Sequence, residues 1–376
     1  MSEKLTKDAI DLSTLSIPRL FGRYFIPTLF GMLSISAMTI IDGVFVGHAV
    51  GADGIALLPL VRDYMLGFMP GELFGVWQAL LLFVIRLDGN PRLAMWCNVV
   101  AAGANVVLDW LMIVVLGWGL FGAAIASALS MLLGGTIAVW YMFFAARQLR
   151  PIRLKWSRRS LLYSIRNISY QCTIGLSALM GECTMAVLAL VGNYVFGFYM
   201  GDAGIGAFGI ACYYTPFVFM IGNAVAQSAQ PIVSFNYGSG DSRRVRSTLH
   251  VALLTAVACG LAVSGAFVLL PQQLVELFVN SSEAAFPLAV NGFPLIAVSF
   301  VFFIINLTCI GYFQSIERVR PAMVFALLRG LILLVPSFIV LPLLLGENGI
   351  WLALALSEML TTLGIAGYSW WCCRHA

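Results

Sequence analysis

The sequence has few charged residues, and this shortage limits the class of protein. Charged residues occupy only 10% of its 376 positions, whereas hydrophobic residues occupy 61%, and the mean hydropathy is +0.94. A soluble domain uses about 25% charged residues to cover its surface. Most of the surface of this chain must therefore face something other than water.

The sequence also lacks the motifs of nucleotide-driven, redox or hydrolytic chemistry. It contains no Walker loop, dinucleotide fingerprint or nucleophile elbow. Its eight cysteines lie in or beside apolar segments without the spacing of a zinc site, and disulfides are not expected at membrane depth. We therefore predict that the protein is not an enzyme, has no catalytic residues and needs no cofactor.

Apolar runs long enough to cross a bilayer, about 20 residues each, recur along the whole length. They predict an all-α integral membrane protein, a helical bundle of about ten spans. The first eighteen residues are polar and the first run is long, which predicts no cleavable signal peptide. The predicted spans are 24–47, 64–85, 94–116, 119–146, 168–198, 205–234, 248–270, 286–312, 322–345 and 349–371.

Basic residues are concentrated in alternate loops, as the positive-inside rule requires. The largest cluster runs from Arg147 to Arg166, while the opposite loops carry mainly Asp202, Glu276, Glu283 and Glu347. This pattern predicts that both termini are cytoplasmic. The net charge of +4 is thus a topology signal, and we expect no nucleic-acid partner.

The two halves of the chain resemble each other. Arg92-Leu-Ala-Met95 and Arg320-Pro-Ala-Met323 each lie between two spans, and Gly119–Ser127 matches Gly349–Ser357 at a similar offset. Transporters are often built from such repeats, with the substrate handled between them. We predict an N-terminal lobe at 1–146, a basic cytoplasmic linker at 147–167 and a C-terminal lobe at 168–376.

The first half is shorter than the second. Gly47–Asp53 best matches Gly197–Asp202, which leaves enough unmatched residues in the second half for two spans at about 20 residues each. The discontinuity falls near Leu60 to Arg62, so the full form would have twelve spans. A lobe without two of its helices would expose polar groups to lipid. We therefore expect that two spans of the working protein are absent from this sequence; the alternatives are a natural ten-span variant and a truncated protein.

Four polar residues of the first half are predicted at one depth in the membrane. Asp42, Asp109 and Ser127 lie about 8–12 Å below the outer rim at 1.5 Å per residue, and Asn105 lies one turn from Asp109 on the same helix face. Oxygen ligands of this kind suit a small cation, and two nearby carboxylates suit a proton. The alternative is a polar network that only joins helices. If the site is functional, the Asp42 and Asp109 carboxylates should lie about 8 Å apart or less, so that both can reach one ion.

The second half carries further polar residues inside its predicted spans. Glu182 lies near the middle of its span and is expected to face a central substrate cavity, because a carboxylate at that depth needs water or a cationic partner. Gln227, Gln230 and Asn306 are candidates to line the same cavity. Glu358 lies in the outer half of the last span. Arg329 lies near a cytoplasmic end, where it either snorkels or pairs.

Four stretches of the sequence resemble the multidrug and toxic compound extrusion (MATE) family, and its DinF-like branch best. Pro27 precedes Ile41-Asp42-Gly-Val-Phe-Val-Gly47 as in the first span of that family. The other stretches are Arg86-Leu-Asp-Gly-Asn-Pro91, Asn105-Val-Val-Leu-Asp109 with Gly122-Ala-Ala-Ile-Ala-Ser127, and Gln227-Ser-Ala-Gln-Pro231 with Asn236-Tyr-Gly238. Each stretch is short, but their order covers nearly the whole chain.

The resemblance implies a two-lobed secondary transporter that exports amphipathic, often cationic, organic compounds against Na⁺ or H⁺. By that likeness Asp42, Asn105, Asp109 and Ser127 match the cation site of the N-terminal lobe, and Pro27 matches a helix bend. Glu182 resembles a carboxylate of the NorM-like branch, whose acidic residue in the tenth span has no match here. The resemblance also implies a monomer in a bacterial cytoplasmic (inner) membrane, with no metal site beyond a possible Na⁺.

Two other functions are compatible with this layout. A lipid-linked oligosaccharide flippase of a related fold would need several Arg or Lys residues in its cavity to bind pyrophosphate, and the basic residues here lie almost wholly in loops. A protein disabled by the missing spans, or a membrane sensor, would not transport at all. Efflux measurements separate these alternatives from the antiporter.

Overall fold

The computed structural model describes residues 12, 14–50, 57–146, 149 and 157–375, and the side chains of these apart from 39–50, 57–61, 63, 159, 177, 373 and 375. Every regular element in this part of the chain is helical, which confirms the predicted all-α fold. The chain divides into two compact units, unit 1 at Met1–Arg153 and unit 2 at Leu154–Ala376. The division falls inside the segment predicted as a linker.

Unit 1 consists of four long helices: α1 (Ile17–Val50), α2 (Leu57–Leu87), α3 (Pro91–Asp109) and α4 (Gly119–Trp140). A π-helical turn extends α3 over Trp110–Val115 and another extends α4 over Tyr141–Ala145. The start of α3 follows from its sequence. The Asn90 side chain accepts a hydrogen bond from the amide of Leu93, and Pro91 has no backbone N–H that would need an acceptor.

The predicted discontinuity lies inside a helix. Leu60 and Arg62 both belong to α2, whereas residues 51–56, which precede it, lie outside the described residues. The absence of two spans before this point therefore stays a prediction.

Small residues bring α2 and α4 of unit 1 close together. Gly67 faces Ala124, Gly71 faces Ala128 and Gly75 faces Met131; a Cβ added to Gly67 would lie 2.9 Å from the Ala124 Cβ. Membrane helices pack through such small residues because lipid supplies no hydrophobic drive between them. The paired numbers rise together, so the two helices are parallel, as expected for spans separated by one other span.

Unit 2 is longer and is organised around α8. Its helices are α5 (Arg158–Gly238), α6 (Ser242–Leu269), α7 (Pro271–Glu276), α8 (Ala285–Ser315), α9 (Val319–Leu327), α10 (Leu334–Leu345) and α11 (Glu347–His375), with a π-helical turn at Leu328–Ile332 between α9 and α10. Aromatic rings fill the space between α6 and α8, where Phe267 stacks on Phe293 and meets Phe300 edge-on. The outer surfaces carry exposed side chains such as Leu254 and Leu343, as expected for helices that face lipid.

The number of spans agrees with the prediction. Nine helices in the described part of the chain are long and apolar enough to cross a membrane, and one of them, Ser160–Gly238, has 79 residues. A helix of that length would measure about 120 Å, roughly four times the hydrocarbon thickness. It breaks at Gly201, whose φ of 65° and ψ of −156° are not helical and suit a residue without a Cβ. Counting its two segments separately gives ten spans.

The start of α5 differs from the predicted limits. The helix begins at Arg158, where the Ser157 hydroxyl accepts a hydrogen bond from the amide of Ser160, and not near residue 168. The last part of the segment predicted as a linker is therefore helical. Hydropathy missed these turns because they are basic and polar, while the serine cap fixes the helix start.

Candidate functional site

The buried face of α3 carries a row of polar side chains. Asn98, Asn105 and Asp109 are separated by seven and four residues, which puts them on one side of the helix. Asn98 is 1% exposed, and Asn105 and Asp109 are completely buried. Polar groups at this depth need polar partners, so this face defines the polar interior of unit 1.

The Asn105 amide contacts Ser127 on the neighbouring helix α4. Its Nδ2 donates a hydrogen bond of 3.3 Å to the Ser127 Oγ, and Ser127 is 2% exposed. Four of the five residues before Ser127 on α4 are small and buried, as is common where membrane helices pack closely: Gly122, Ala123, Ala124 and Ala126. Asp109 lies one turn beyond Asn105 on the same face, so three of the four residues predicted for the cation site share one buried patch of unit 1.

The patch has the donor set for a small cation or a proton. The Asn105 Oδ1 is buried and accepts no hydrogen bond from the described residues. Together with the Asp109 carboxylate and the Ser127 hydroxyl it supplies oxygen atoms of the kind that Na⁺ and other hard cations prefer. No three His, Cys, Asp or Glu side chains in the described ranges lie close enough to hold a metal ion together. A cation here would therefore depend on amide and hydroxyl oxygens as well as carboxylates.

Asp42 and Pro27 lie on α1. The Asp42 side chain is outside the described residues, so its predicted separation from Asp109 stays a prediction. Pro27 is buried inside α1. Its ring removes the backbone hydrogen bond that would reach the carbonyl of Arg23, which creates a point where the helix bends easily.

Glu182 lies on the first segment of α5 and is exposed. Thr184, two residues further on, is 2% exposed and packs against Gly330. A Cβ added to Gly330 would clash with the Thr184 hydroxyl. Residues two apart on a helix point in nearly opposite directions. Glu182 therefore lies on the face of α5 opposite the packed seam of unit 2. Its orientation toward a substrate cavity stays a prediction.

The other predicted cavity residues of unit 2 differ in exposure. Gln227 and Gln230 are half-buried on the second segment of α5, and the Gln230 Nε2 donates a hydrogen bond of 3.4 Å to the Gln314 Oε1. Asn306 on α8 is completely buried, and both ends of its amide are used inside unit 2. The prediction that Asn306 lines a cavity is therefore corrected, because the side chain has no exposed group.

Asn306 belongs to a buried ionic network with Glu358 of α11 and Arg329 of the π-helical turn. The Glu358 Oε1 accepts hydrogen bonds from the Arg329 Nε and Nη2 at 3.0 and 2.8 Å, and its Oε2 accepts one from the Asn306 Nδ2 at 2.7 Å. The guanidinium also lies over the Phe303 ring, 4.3 Å from its centre. All four side chains are at most 1% exposed.

Two hydroxyls complete this network. The Thr362 hydroxyl donates to the Asn306 Oδ1 at 2.9 Å, and the Ser357 hydroxyl donates to the Arg329 carbonyl oxygen at 2.8 Å. The π-helical turn explains the second contact. Its hydrogen bonds skip one residue more than in an α-helix, as in the bond from the Leu333 amide to the Leu328 carbonyl, so a carbonyl in the turn is left available for a side chain.

The sequence indicated part of this network. Pairing was one of two outcomes expected for Arg329, but Glu358 was not identified as its partner. Residue counting put Arg329 near the cytoplasmic end and Glu358 in the outer half, which separated them. The useful signal was the presence of opposite charges in two consecutive spans, since charges inside a membrane pair with one another.

The motif Arg86-Leu-Asp-Gly-Asn-Pro91 forms the turn between α2 and α3. Asp88 is completely buried and accepts hydrogen bonds from the Tyr141 hydroxyl at 2.7 Å and from the Leu149 amide at 2.9 Å. These contacts tie the turn to the end of α4 and give the motif a structural role.

The turn after α5 in unit 2 is also held by side-chain hydrogen bonds. The Asn236 Oδ1 accepts a hydrogen bond of 3.0 Å from the Arg244 Nε, and Asp241 caps α6. Both turn motifs therefore hold helices together and lie outside the candidate site.

Comparison with known proteins gives one consistent group of relatives. A family model described as MatE matches residues 178–339. The chain is 24% identical over 348 residues to the multidrug export protein MepA of Staphylococcus saprophyticus subsp. saprophyticus, covering 89% of this chain and 73% of that protein. It is 24% identical over 309 residues to MepA of Staphylococcus haemolyticus, covering 79% of this chain but only 64% of that protein.

Solved structures share the fold at low sequence identity. The chain matches an outward-facing multidrug resistance MATE family transporter of the MOP superfamily with a TM-score of 0.80, 19% identity and coverage of 98% of both chains. It matches a MOP superfamily transporter from Pyrococcus furiosus, described as having a binding pocket of reversed polarity, with a TM-score of 0.78 and 18% identity over 96% of this chain and 97% of that one. The helical framework of this chain is thus one that known membrane transporters use.

Proposed function

Because the chain belongs to the MATE family of membrane transporters, we propose that it is a secondary active exporter of amphipathic, often cationic, organic compounds. Two relatives that match 89% and 79% of this chain are named multidrug export proteins. The observation that carries the proposal to this chain is the buried patch of Asn105, Asp109 and Ser127 in unit 1. Inward movement of Na⁺ or H⁺ through this patch supplies the driving force.

The transport cycle is alternating access. Binding of the cation at the patch, with Asp42 as a further ligand, and binding of the drug favour opposite orientations of the protein. Each ligand then lowers the affinity for the other, typically by about 1–3 kcal/mol of coupling free energy. Pro27 supports this cycle, because a bend in α1 displaces the segment that carries Asp42 relative to the helix start.

We also propose the oligomeric state, the membrane and the orientation of the exporter. It acts as a monomer of the DinF-like branch in a bacterial cytoplasmic membrane, with both termini on the cytoplasmic side. The loop charges support this orientation, since the basic segment between the units and the exposed Asp202 belong to opposite sides of the predicted topology.

The flippase alternative is weakened by the position of Arg329. A pyrophosphate group would need basic side chains that are available to it. Arg329 is the basic residue most deeply buried in unit 2 among those described, and its guanidinium is engaged by Glu358 and by the Phe303 ring. It is therefore committed to the interior of unit 2.

Efflux from proteoliposomes tests the proposal. Purified protein is reconstituted, loaded with ethidium, and exposed to a Na⁺ gradient alone and to a pH gradient alone. The wild type should export ethidium under at least one gradient, and the effective gradient identifies the coupling ion. Asp109→Asn should reduce efflux to the level measured without a gradient. Asp202→Asn, which changes an exposed carboxylate of unit 2, serves as the matched control and should transport like the wild type.

Two results would contradict the proposal. Wild-type protein that folds but exports nothing under either gradient would favour a non-transporting protein. Full efflux by Asp109→Asn would leave the transporter in place but remove the patch from the coupling mechanism.

A further inference from the structure

The carboxylate of Glu358 is fully engaged by groups of its own unit. Both its oxygens accept hydrogen bonds, one from two nitrogens of Arg329 and the other from the Asn306 amide. A carboxylate with these neighbours has its negative charge balanced by a cation that belongs to the chain.

This network occupies the helices that the internal repeat relates to the patch of unit 1. Gly349–Ser357 on α11 repeats Gly119–Ser127 on α4, and the sequence around Arg320 at the start of α9 repeats that around Arg92 at the start of α3. The repeated serines both contact the preceding span. The Ser127 hydroxyl accepts a hydrogen bond from the Asn105 amide, and the Ser357 hydroxyl donates one to the Arg329 carbonyl oxygen. The two polar centres therefore lie on helices that the repeat relates, but they consist of different groups.

We propose that the Arg329 guanidinium is a built-in cation, which takes in unit 2 the place that the coupling ion takes in unit 1. Unit 2 then binds no coupling ion, because the Glu358 carboxylate is already paired with a cation of the chain. This inference rests on the proposed function for the identity of the coupling ion. Its central claim is that unit 2 binds no cation from solution.

The surroundings of Arg329 suit a permanent cation. A guanidinium keeps its charge at every pH at which proteins are stable. A tether to the backbone raises its effective concentration at the carboxylate far above that of dissolved ions. The Phe303 ring covers its face and the π-helical turn fixes its backbone through Ser357.

The other groups that face the pair are neutral. Asn306 and Phe303 approach from α8, Thr362 and Ser357 from α11, and Thr184 from α5 lies against the turn at Gly330. Glu182, the nearby carboxylate along α5, is on the opposite face of that helix. Removal of the Arg329 charge should therefore leave the Glu358 carboxylate, with its hydrogen bond from the Asn306 Nδ2, without a cation.

Ion binding to the purified protein in detergent tests this inference. Na⁺ binding is measured by titration calorimetry, and proton uptake is measured with a pH-sensitive dye. Arg329→Met should bind about one more Na⁺ or proton per protein than the wild type, because Glu358 then needs an external cation. Arg329→Met combined with Glu358→Gln should return to the wild-type number. Arg329→Lys is the matched control, and it should keep the wild-type number because it retains the charge.

Three outcomes decide the matter. A folded Arg329→Met that gains no cation overturns the inference. If that variant does not fold, the neutral double variant still gives an answer, because it removes both charges together. A double variant that binds one cation fewer than the wild type also overturns the inference, since Glu358 would then be an ion site already; an equal number supports it.

These measurements do not depend on transport. Failure of the wild type to export ethidium rejects the proposed function, yet the cation numbers of the variants still test the role of Arg329. Conversely, normal efflux together with an unchanged cation number in folded Arg329→Met rejects this inference and keeps the proposed function.

Discussion

Unit 1 and unit 2 each bury a carboxylate, but they surround it with different chemistry. Asp109 shares its patch with the neutral side chains of Asn105 and Ser127, whereas Glu358 is bound by Arg329. A site that takes up and releases a cation during each cycle needs negative charge that the protein itself does not balance. A site with its own guanidinium is balanced in every state. The two carboxylates also lie on helices that the repeat does not pair, since Asp109 is on α3 and Glu358 is on α11, the counterpart of α4.

The largest expected effect is on stability, and it should differ between the two carboxylates. Glu358→Gln leaves the Arg329 guanidinium buried without its counter-charge, so we expect a loss of about 3–5 kcal/mol in the free energy of unfolding. Asp109→Asn keeps a polar side chain of nearly the same size beside Asn105 and Ser127, and should cost about 1 kcal/mol or less. Thermal or denaturant unfolding in one detergent measures both. Similar losses in the two variants would show that the two carboxylates contribute equally to stability.

The double variant Arg329→Met with Glu358→Gln controls for packing. Replacing both members of a buried ion pair by neutral groups of similar size is often close to neutral. Its unfolding free energy should therefore lie nearer to that of the wild type than to that of either single variant. If the double variant is the least stable of the three, the losses reflect packing and not an unpaired charge.

A smaller effect is expected at the close helix contacts of the two units. Gly71 in unit 1 faces Ala128, and Gly260 in unit 2 faces the backbone of Val301, where a Cβ would lie 2.7 Å from the Val301 Cα. Gly71→Leu and Gly260→Leu should each lower the unfolding free energy by about 1–3 kcal/mol, since extra atoms force the helices apart.

Gly103→Ala is the control for those substitutions. Gly103 lies on an exposed face of α3 with no atom near its added Cβ. Alanine in a helix interior is favoured over glycine by about 0.5–1 kcal/mol, so this variant should be as stable as the wild type or more stable. A large loss at Gly103 would mean that glycine substitutions act on these helices by some route other than crowding.

The sequence predicted the helical framework well because the signals are physical and local. Span number and the parallel course of α2 and α4 follow from hydropathy and from the alternation of loop charge. The region of the long helix α5 was predicted as two spans because it contains two apolar runs, 168–198 and 205–234. Its early start at Arg158 was missed, since polar turns beyond the membrane leave no trace in hydropathy.

The candidate site was predicted less completely. Asn105, Asp109 and Ser127 were grouped by depth, and depth is enough when neighbouring helices are straight and consecutive. Asn306 was assigned to a cavity because polarity inside a span does not reveal which neighbour satisfies it. Its partner Glu358 lies 52 positions away in the sequence. The π-helical turn at Arg329 changes the direction of side chains locally, so counting residues on a regular helix gave the wrong neighbours.

Helix capping should have effects of equal size in the two units. Asn90 accepts a hydrogen bond from the Leu93 amide at the start of α3, and Asp241 accepts one from the Arg244 amide at the start of α6. Loss of such a cap costs typically about 1 kcal/mol. Asn90→Ala and Asp241→Ala should therefore lower the unfolding free energy by similar amounts. A loss confined to one of them would mean that the caps of α3 and α6 do not contribute equally to stability.

The smallest expected change in stability is at Glu182, and it completes the contrast with Glu358 within unit 2. Glu182 is exposed, so Glu182→Gln should alter the unfolding free energy by no more than about 0.5 kcal/mol. If the side chain faces the substrate, the same change should weaken binding of cationic ethidium severalfold and leave a neutral substrate unaffected, because only the cation is attracted by the carboxylate. Fluorescence titration of the purified protein measures both affinities. Glu347→Gln, at an exposed carboxylate at the start of α11, is the control, and it should change neither affinity. Equal ethidium affinities for Glu182→Gln and the wild type would remove Glu182 from the substrate site.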